Sequence, residues 1–389
     1  MRIIVFAGRM PDLCGAFLHD VELAHELIKR GHEVMFMTLE MPKIGVNGGH
    51  YRGIRYMHWT AGDRFLNLSE VWICPHAPAL PEVRKINVRY NRPIAATCHY
   101  DGNYNAIVTN NPGRRQAWVE FLMFINHTME PNYRKNISPW PPNVVKTAVV
   151  RPIMFEERIR IDEPFRGEYI TLVNANQNKG VKQFIDMARA MPDRKFLGVI
   201  PYYGELKLPE APDNIKWVPF DDDIRNILKD TRILLLPSYY ESFGRIAFEA
   251  LYNGIPVLYS KPNPKSKYPG GSTEGVEEWI KPAGISCERD NTQEWVSTIQ
   301  SFDDEQTYAA RSELSKTHVR AMNIFTEGAR IAGLIELFAR ENPVPVQKTP
   351  AQQAEETPQR QAQALAAVVH RPPEGAKIGF SNGRLRIRR

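Results

Sequence analysis

The sequence predicts two doubly wound α/β domains built on parallel sheets, with a cleft between them. Three observations carry this. Short aliphatic runs alternate with amphipathic helical stretches from the first residues to about residue 260, and no block of consecutive strands breaks the pattern. Strands that alternate with helices build parallel sheets covered on both faces. The 389 residues are also too many for one ordinary core and about right for two.

Each element follows from local chemistry. Met1-Arg2-Ile3-Ile4-Val5-Phe6-Ala7 reads as a first buried strand, with Gly8 and Gly15 in the turn behind it. An amphipathic helix is predicted from Ala16 to Arg30, its apolar positions being Phe17, Val21, Leu23, Ala24, Leu27 and Ile28. Gly31 stops it, and residues 32–37 form the next strand. A second α/β series begins near Tyr169: a strand over 170–173, a polar turn from Asn174 to Asn178, and a helix opened by Gly180 that carries Val181, Phe184, Ile185 and Ala188. Further strands are predicted at 195–200, 215–218, 233–236 and 256–259. The charged, proline-bearing stretch 151–166 reads as the join, which gives domains 1–155 and 156–325. A helix from Thr326 to Arg340 bears an apolar stripe of Ile331, Leu334, Ile335, Leu337 and Phe338, within a crossover segment 326–342 that should pack back beside the first domain. Residues 343–389 read as a disordered linker and a basic tail, because 343–370 is rich in Pro, Gln and Ala with almost no large apolar groups. Asn382-Gly383 inside that tail is a hairpin-turn signal.

Composition removes several classes. No apolar run approaches the roughly 20 residues that span a bilayer, so stable membrane insertion is not expected. The amino-terminal apolar stretch is too short for a secretory signal and lacks its cleavage pattern. Cys14, Cys74, Cys98 and Cys287 are far apart, with neither disulfide-framework nor zinc spacing. A soluble cytoplasmic protein is the expectation, and no feature sets an oligomeric state. Asp221-Asp222-Asp223 precedes Ile224-Arg225-Asn226-Ile227-Leu228 and reads as acids at a helix start rather than a metal cluster.

The chemistry concentrates in Pro237-Ser238-Tyr239-Tyr240-Glu241-Ser242-Phe243-Gly244-Arg245-Ile246-Ala247-Phe248-Glu249-Ala250. A buried strand precedes it and a helix follows. Gly244 lets backbone approach a ligand, and the free N–H groups of the first helical turn suit a diphosphate. Carboxylates repel phosphate but bind hydroxyls. Glu241 and Glu249 on either side of a phosphate-binding helix start therefore suit a ligand with phosphate in the middle and hydroxyl-rich groups at both ends, as in a nucleotide sugar.

The segment resembles the E-x-F-G…E signature of retaining GT-B glycosyltransferases, in particular the family-4 group. The likeness extends over about residues 1–340 through Arg30-Gly31-His32-Glu33-Val34, Lys179-Gly180, Pro237-Ser238, Gly254-Ile255-Pro256-Val257 and the terminal helix. The resemblance implies two Rossmann-like domains and no cofactor or metal beyond a nucleotide-diphosphate sugar as donor. It implies that Glu249 holds the ribose hydroxyls and Glu241 the sugar hydroxyls. The Phe243-Gly244-Arg245 backbone would hold the diphosphate, with Gly15 near the donor phosphate. Lys179 would neutralise the leaving diphosphate. His99, at a strand end with Asp101, would face the sugar and acceptor, with Asp101 accepting a proton or orienting the imidazole. The family usually has an arginine five residues before that lysine. Here the residue is Asn174, and Arg245 is the nearest cation to compensate.

Charge bears on the acceptor. Residues 1–150 carry 17 basic and 12 acidic side chains, residues 151–342 carry 25 and 29, and residues 343–389 carry 8 and 3. The acceptor-side domain and the tail hold the positive excess, the tail ending in Arg384, Arg386, Arg388 and Arg389. That pattern suits a polyanion, and the resemblance extends to enzymes that glycosylate hydroxymethylated DNA bases. DNA is thus one acceptor class, with Tyr100, Tyr104 and Trp118 as stacking candidates for an extruded base. Saccharide, lipid or protein acceptors are the alternatives, as is a non-catalytic nucleotide-sugar- or DNA-binding protein on the same scaffold.

Overall fold

The computed structural model describes residues 1–11, 14–41, 48–75, 77–108, 117–162, 167–202, 210–263, 265, 272–344, 377–381 and 384–388. The first domain holds eight strands: β1 (Arg2–Ala7), β2 (Glu33–Thr38), β3 (Gly48–Tyr51), β4 (Ile54–His58), β5 (Val71–Ile73), β6 (Ile94–Cys98), β7 (Phe121–Phe124) and β8 (Lys146–Val149). The second holds six: β9 (Tyr169–Leu172), β10 (Phe196–Val199), β11 (Ile215–Val218), β12 (Thr231–Leu236), β13 (Val257–Ser260) and β14 (Ile285–Cys287). Four helices bear on the site and on the closing of the fold: α1 (Gly15–Lys29), α2 (Val181–Ala190), α3 (Arg245–Tyr252) and α4 (Glu327–Glu341).

The sheet orders are β3-β4-β2-β1-β5-β6-β7-β8 and β11-β10-β9-β12-β13-β14. Both reverse direction from an inner strand, as doubly wound sheets do, and the carboxyl ends at such reversals are where these folds bind ligands. The central strands β1, β6, β7, β10 and β13 are buried on both faces, Ile3 to Phe6 and Phe121 to Phe124 being almost wholly sequestered. That explains why they read as continuous apolar runs.

One element departs from the expected alternation. β3 pairs antiparallel with β4 at the sheet edge, Tyr51 opposite Ile54. The turn between them places Arg52 and Gly53 at φ 47° and 81°. Positive φ at both central residues is what a tight two-residue hairpin demands. Arg-Gly is a weaker sequence signal for it than Asn-Gly, which leaves the hairpin hidden in the pattern.

The terminal helix lies against the first domain. Arg30 at the end of α1 donates to both carboxylate oxygens of Glu336, each at 2.8 Å, and His32 Nε2 lies 2.8 Å from Glu336 Oε1. These partners hold the Glu336 carboxyl down at about 2, chiefly through its hydrogen bonds to Arg30. Phe338 packs on Phe121 at 5.4 Å between ring centres. Ile331, Ile335 and Phe338 are buried, whereas Leu337 is 41% exposed and falls off the apolar stripe. No described helix is long and apolar enough to cross a membrane.

Residues 1–344 form one unit and residues 345–389 a second. Within the second, β15 (Lys377–Ser381) and β16 (Arg384–Arg388) form an antiparallel ribbon with Phe380 opposite Leu385. The linker 345–376, the Asn382-Gly383 turn and Arg389 lie outside the described residues.

Candidate functional site

A cleft of about 410 Å³ opens between the two domains. Its second-domain wall comes from the carboxyl ends of β9 and β12 and the start of α3. Gly180, at φ 78°, brings the turn before α2 against the end of β12, where a Cβ would stand 2.1 Å from the Pro237 carbonyl oxygen. Only glycine permits that approach. It places Lys179 Nζ 2.6 Å from Glu241 Oε1, which also accepts from Ser238 Oγ at 2.8 Å. Glu241 is buried, and its Oε2 makes no hydrogen bond among the described residues. Gly244 caps α3 at φ 71°. Phe243 stacks on Trp279 at 4.9 Å while its carbonyl accepts from the Trp279 indole, so its ring fixes the loop and leaves the backbone to face the cleft.

Arg245 differs from the sequence expectation. Its guanidinium donates to Glu22 through Nη1 and Nη2 at 2.6 and 2.8 Å, to Glu249 through Nε at 2.8 Å, and to the Ile153 carbonyl at 2.9 Å. Four of its five N–H donors are therefore engaged, and its side chain has little left for a diphosphate. Burial pushes the Glu249 carboxyl up, and the adjacent Arg245 only partly offsets this. Asn174, at φ 62°, accepts from the Asn176 amide at 2.9 Å and supplies a turn rather than a charge.

The first-domain wall includes Gly15, Glu22, Arg52 and His99. A Cβ at Gly15 would meet nothing within 4 Å, so the space beside this helix start is open. His99 follows β6 and lies edge-on to His19 at 5.1 Å. Asp101 takes a different place from the one expected. Its carboxylate accepts from Tyr240 Oη at 2.9 Å and Asn132 Nδ2 at 3.4 Å, and its N–H donates to Tyr240 Oη at 3.1 Å. It is buried and holds the Tyr240–Ser242 loop across the domain boundary, as does Asn126 through the Ser242 carbonyl at 2.7 Å. None of the stacking candidates lines the cleft. Tyr100 packs on Tyr240, Tyr104 packs on Tyr133, and Trp118 sits against the first core.

Glu22, Arg52 and Arg158 also line the cleft, and no motif marks them. Asp222 bonds to Arg52 Nη2 at 2.7 Å, while Asp221 and Asp223 accept backbone N–H groups at the start of the following helix. His19, Asp20 and His99 offer atoms within 4.8 Å of one another, the spacing of a metal site. The proton positions oppose that use. Ile153 N–H donates to His19 Nδ1 at 3.1 Å, so the neutral ring carries its proton on Nε2 and neither nitrogen has a free lone pair. Burial drives His19 toward this neutral form and pushes the Asp20 carboxyl up, toward its protonated form.

Fold and cleft together define a GT-B architecture. Residues 164–317, within the second half of the chain, match the family described as glycosyl transferases group 1. The chain is 24% identical over 123 residues to D-inositol 3-phosphate glycosyltransferase of Corynebacterium kroppenstedtii. That match covers 31% of this chain and about a quarter of the relative's length. Among solved structures, sucrose-phosphate synthase from Thermosynechococcus elongatus superposes with a TM-score of 0.66 at 15% identity, over 87% of this chain and 98% of that one. Anabaena Alr3699/HepE with UDP and glucose gives 0.66 at 14% identity, over 86% and 99%. An alpha-glucosyltransferase in complex with UDP and a 13-mer DNA containing an HMU base gives 0.57 at 14%, over 86% and 99%. At these identities the likeness is one of fold.

Proposed function

We propose that the chain is a retaining glycosyltransferase that moves a sugar from a nucleotide-diphosphate sugar to an acceptor hydroxyl without a metal. The observation that carries this is the Lys179–Glu241 pair at 2.6 Å, set beside the α3 start and Glu249 in one cleft. Lys179 places a cation where charge develops on the departing diphosphate, the role a preorganised charge fills best. The first-turn N–H groups of α3 take the diphosphate, and the free Oε2 of Glu241 and the carboxylate of Glu249 accept from sugar and ribose hydroxyls. His99, on the opposite wall, donates to or accepts from the sugar or the incoming hydroxyl. Retention assigns the proton of the attacking hydroxyl to the leaving phosphate, on the same face of the sugar, so no dedicated base is required. The test is transfer and hydrolysis with a panel of UDP- and GDP-sugars, with product stereochemistry read by NMR, EDTA present and absent, and Glu241→Ala as control. Inverted product, or activity abolished by EDTA, overturns the finer reading.

The positive excess on the first domain and tail favours a hydroxymethylated DNA base as acceptor over a saccharide, lipid or protein. A GT-B neighbour solved with UDP and HMU-containing DNA shares this fold. With six phosphate contacts, duplex affinity of the full chain falls about 10³-fold or more between 50 and 200 mM salt. No binding at low salt leaves the other acceptors in front.

A further inference from the structure

Among the described residues, the charged side chains lining the cleft are four cations and five carboxylates: Arg52, Arg158, Lys179 and Arg245 against Glu22, Asp221, Asp222, Glu241 and Glu249. An incoming diphosphate adds more negative charge to a site already short of positive charge. Three of the cations are held by acids: Lys179 by Glu241, Arg245 by Glu22 and Glu249, and Arg52 by Asp222. Arg158 is the exception. It lies in the segment joining the domains, half-buried against the cleft; its guanidinium sits over the Phe155 ring at 5.9 Å, and its side chain makes no hydrogen bond or ion pair among the described residues. Burial disfavours its charge, Arg52 adds to this, and Glu22, Glu157 and Asp222 only partly offset it. His25 of α1 stands in the same field, its imidazole pushed down by burial and by Arg158 and Arg52, with a buried Nε2 that has no partner. A half-buried guanidinium without an acid is costly unless a ligand supplies the anion.

We propose that Arg158 is a donor-binding residue that pairs with a phosphate oxygen of the nucleotide, adding to Lys179 the one cleft cation that no described carboxylate holds. This rests on the glycosyl-donor function proposed for the same cleft. A charge-assisted hydrogen bond of this kind contributes about 1.5–3 kcal/mol, or roughly 10- to 150-fold in affinity.

The experiment measures binding of UDP, GDP and the parent nucleosides to the full chain by calorimetry, for wild type, Arg158→Gln and Arg158→Lys, with Glu249→Ala as a probe of the ribose contact. The expected result is a 10- to 150-fold loss of diphosphate affinity in Arg158→Gln, partial recovery in Arg158→Lys, and little change for the nucleoside. The unliganded Arg158→Gln protein should also be at least as thermally stable as wild type, because an unpaired charge has been removed. A purely structural role predicts the reverse. Diphosphate binding by Arg158→Gln within twofold of wild type overturns the assignment while the donor reading stands. Wild type binding neither diphosphate overturns both. Loss of duplex DNA binding with diphosphate binding intact assigns the arginine to the acceptor and overturns the proposal.

Discussion

The two walls of the cleft are built in opposite ways. On the second-domain side the chemistry lies in contiguous sequence: Ser238, Glu241, Gly244 and Glu249 sit within twelve residues, and Lys179 is brought to them by one glycine. On the first-domain side the groups come from a helix face (Glu22), a strand end (His99), a hairpin turn (Arg52) and the joining segment (Arg158). The contiguous wall holds its groups by local backbone geometry. The dispersed wall holds its own by cross-domain pairs, Glu22–Arg245, Asp101–Tyr240 and Arg52–Asp222. Damage to the first wall should therefore appear in turnover, and damage to the second in stability and in the closeness of the domains.

The largest expected effect is on the dispersed wall. Glu22→Gln removes the bidentate partner of a buried guanidinium, a loss of about 3–5 kcal/mol for a broken buried pair. Denaturant unfolding measures it, and a change below about 1 kcal/mol means Glu249 and the Ile153 carbonyl alone satisfy Arg245. On the contiguous wall, Lys179→Ala should lower turnover by roughly 10²–10³-fold. Near-normal turnover would remove the diphosphate role from Lys179. Gly180→Ala should follow, because a left-handed non-glycine residue costs about 1–3 kcal/mol and its Cβ would meet the Pro237 carbonyl 2.1 Å away. Its signature is a joint loss of turnover and stability, since the same turn positions Lys179. A variant with wild-type values for both would show that the Gly180–Pro237 approach does not place the pair.

The same contrast explains what the sequence reveals and what it hides. β9, β10 and β12 are legible because buried parallel strands are continuous apolar runs, and the turn after β9 is marked by Asn174, Asn176 and Gly180. The role of Glu22 is not. Along α1 the polar positions His19 and Glu22 are nonetheless buried, because Ile153 of the joining segment covers His19 and Arg245 of the second domain covers Glu22. Helical period shows which residues share a face and cannot show that a polar face is covered. Arg245 misleads for a related reason. Its place in the first turn of α3 suggests an anion, but the anions it meets are carboxylates, one of them 223 residues away in sequence. Closeness in sequence pairs Asp101 with His99, whereas the turn after β6 delivers it to Tyr240.

The smallest effect tests whether a buried acid on α1 carries a cost. Asp20 is sequestered, Oδ1 lacks a partner, and burial raises its carboxyl well above the ordinary value of 3.8. A carboxyl raised in the folded state adds no penalty below its unfolded value, where both states are protonated. As pH rises past about 4 the unfolded chain releases the proton and the folded chain keeps it, so stability falls until the folded carboxyl ionises. Asp20→Asn keeps the shape and has no proton to release. Its thermal midpoint should match wild type near pH 4 and exceed it by a few degrees by about pH 8. His19 moves the other way, since burial lowers its imidazole and acid must protonate it against that burial. It does so in both proteins, so the difference between their midpoints isolates Asp20. A difference that stays flat from about pH 4 to 8 means the carboxyl is ionised in the fold. Asp20 would then be a buried anion with a carboxylate oxygen within 4.8 Å of ring nitrogens of His19 and His99, outside the cleft lining.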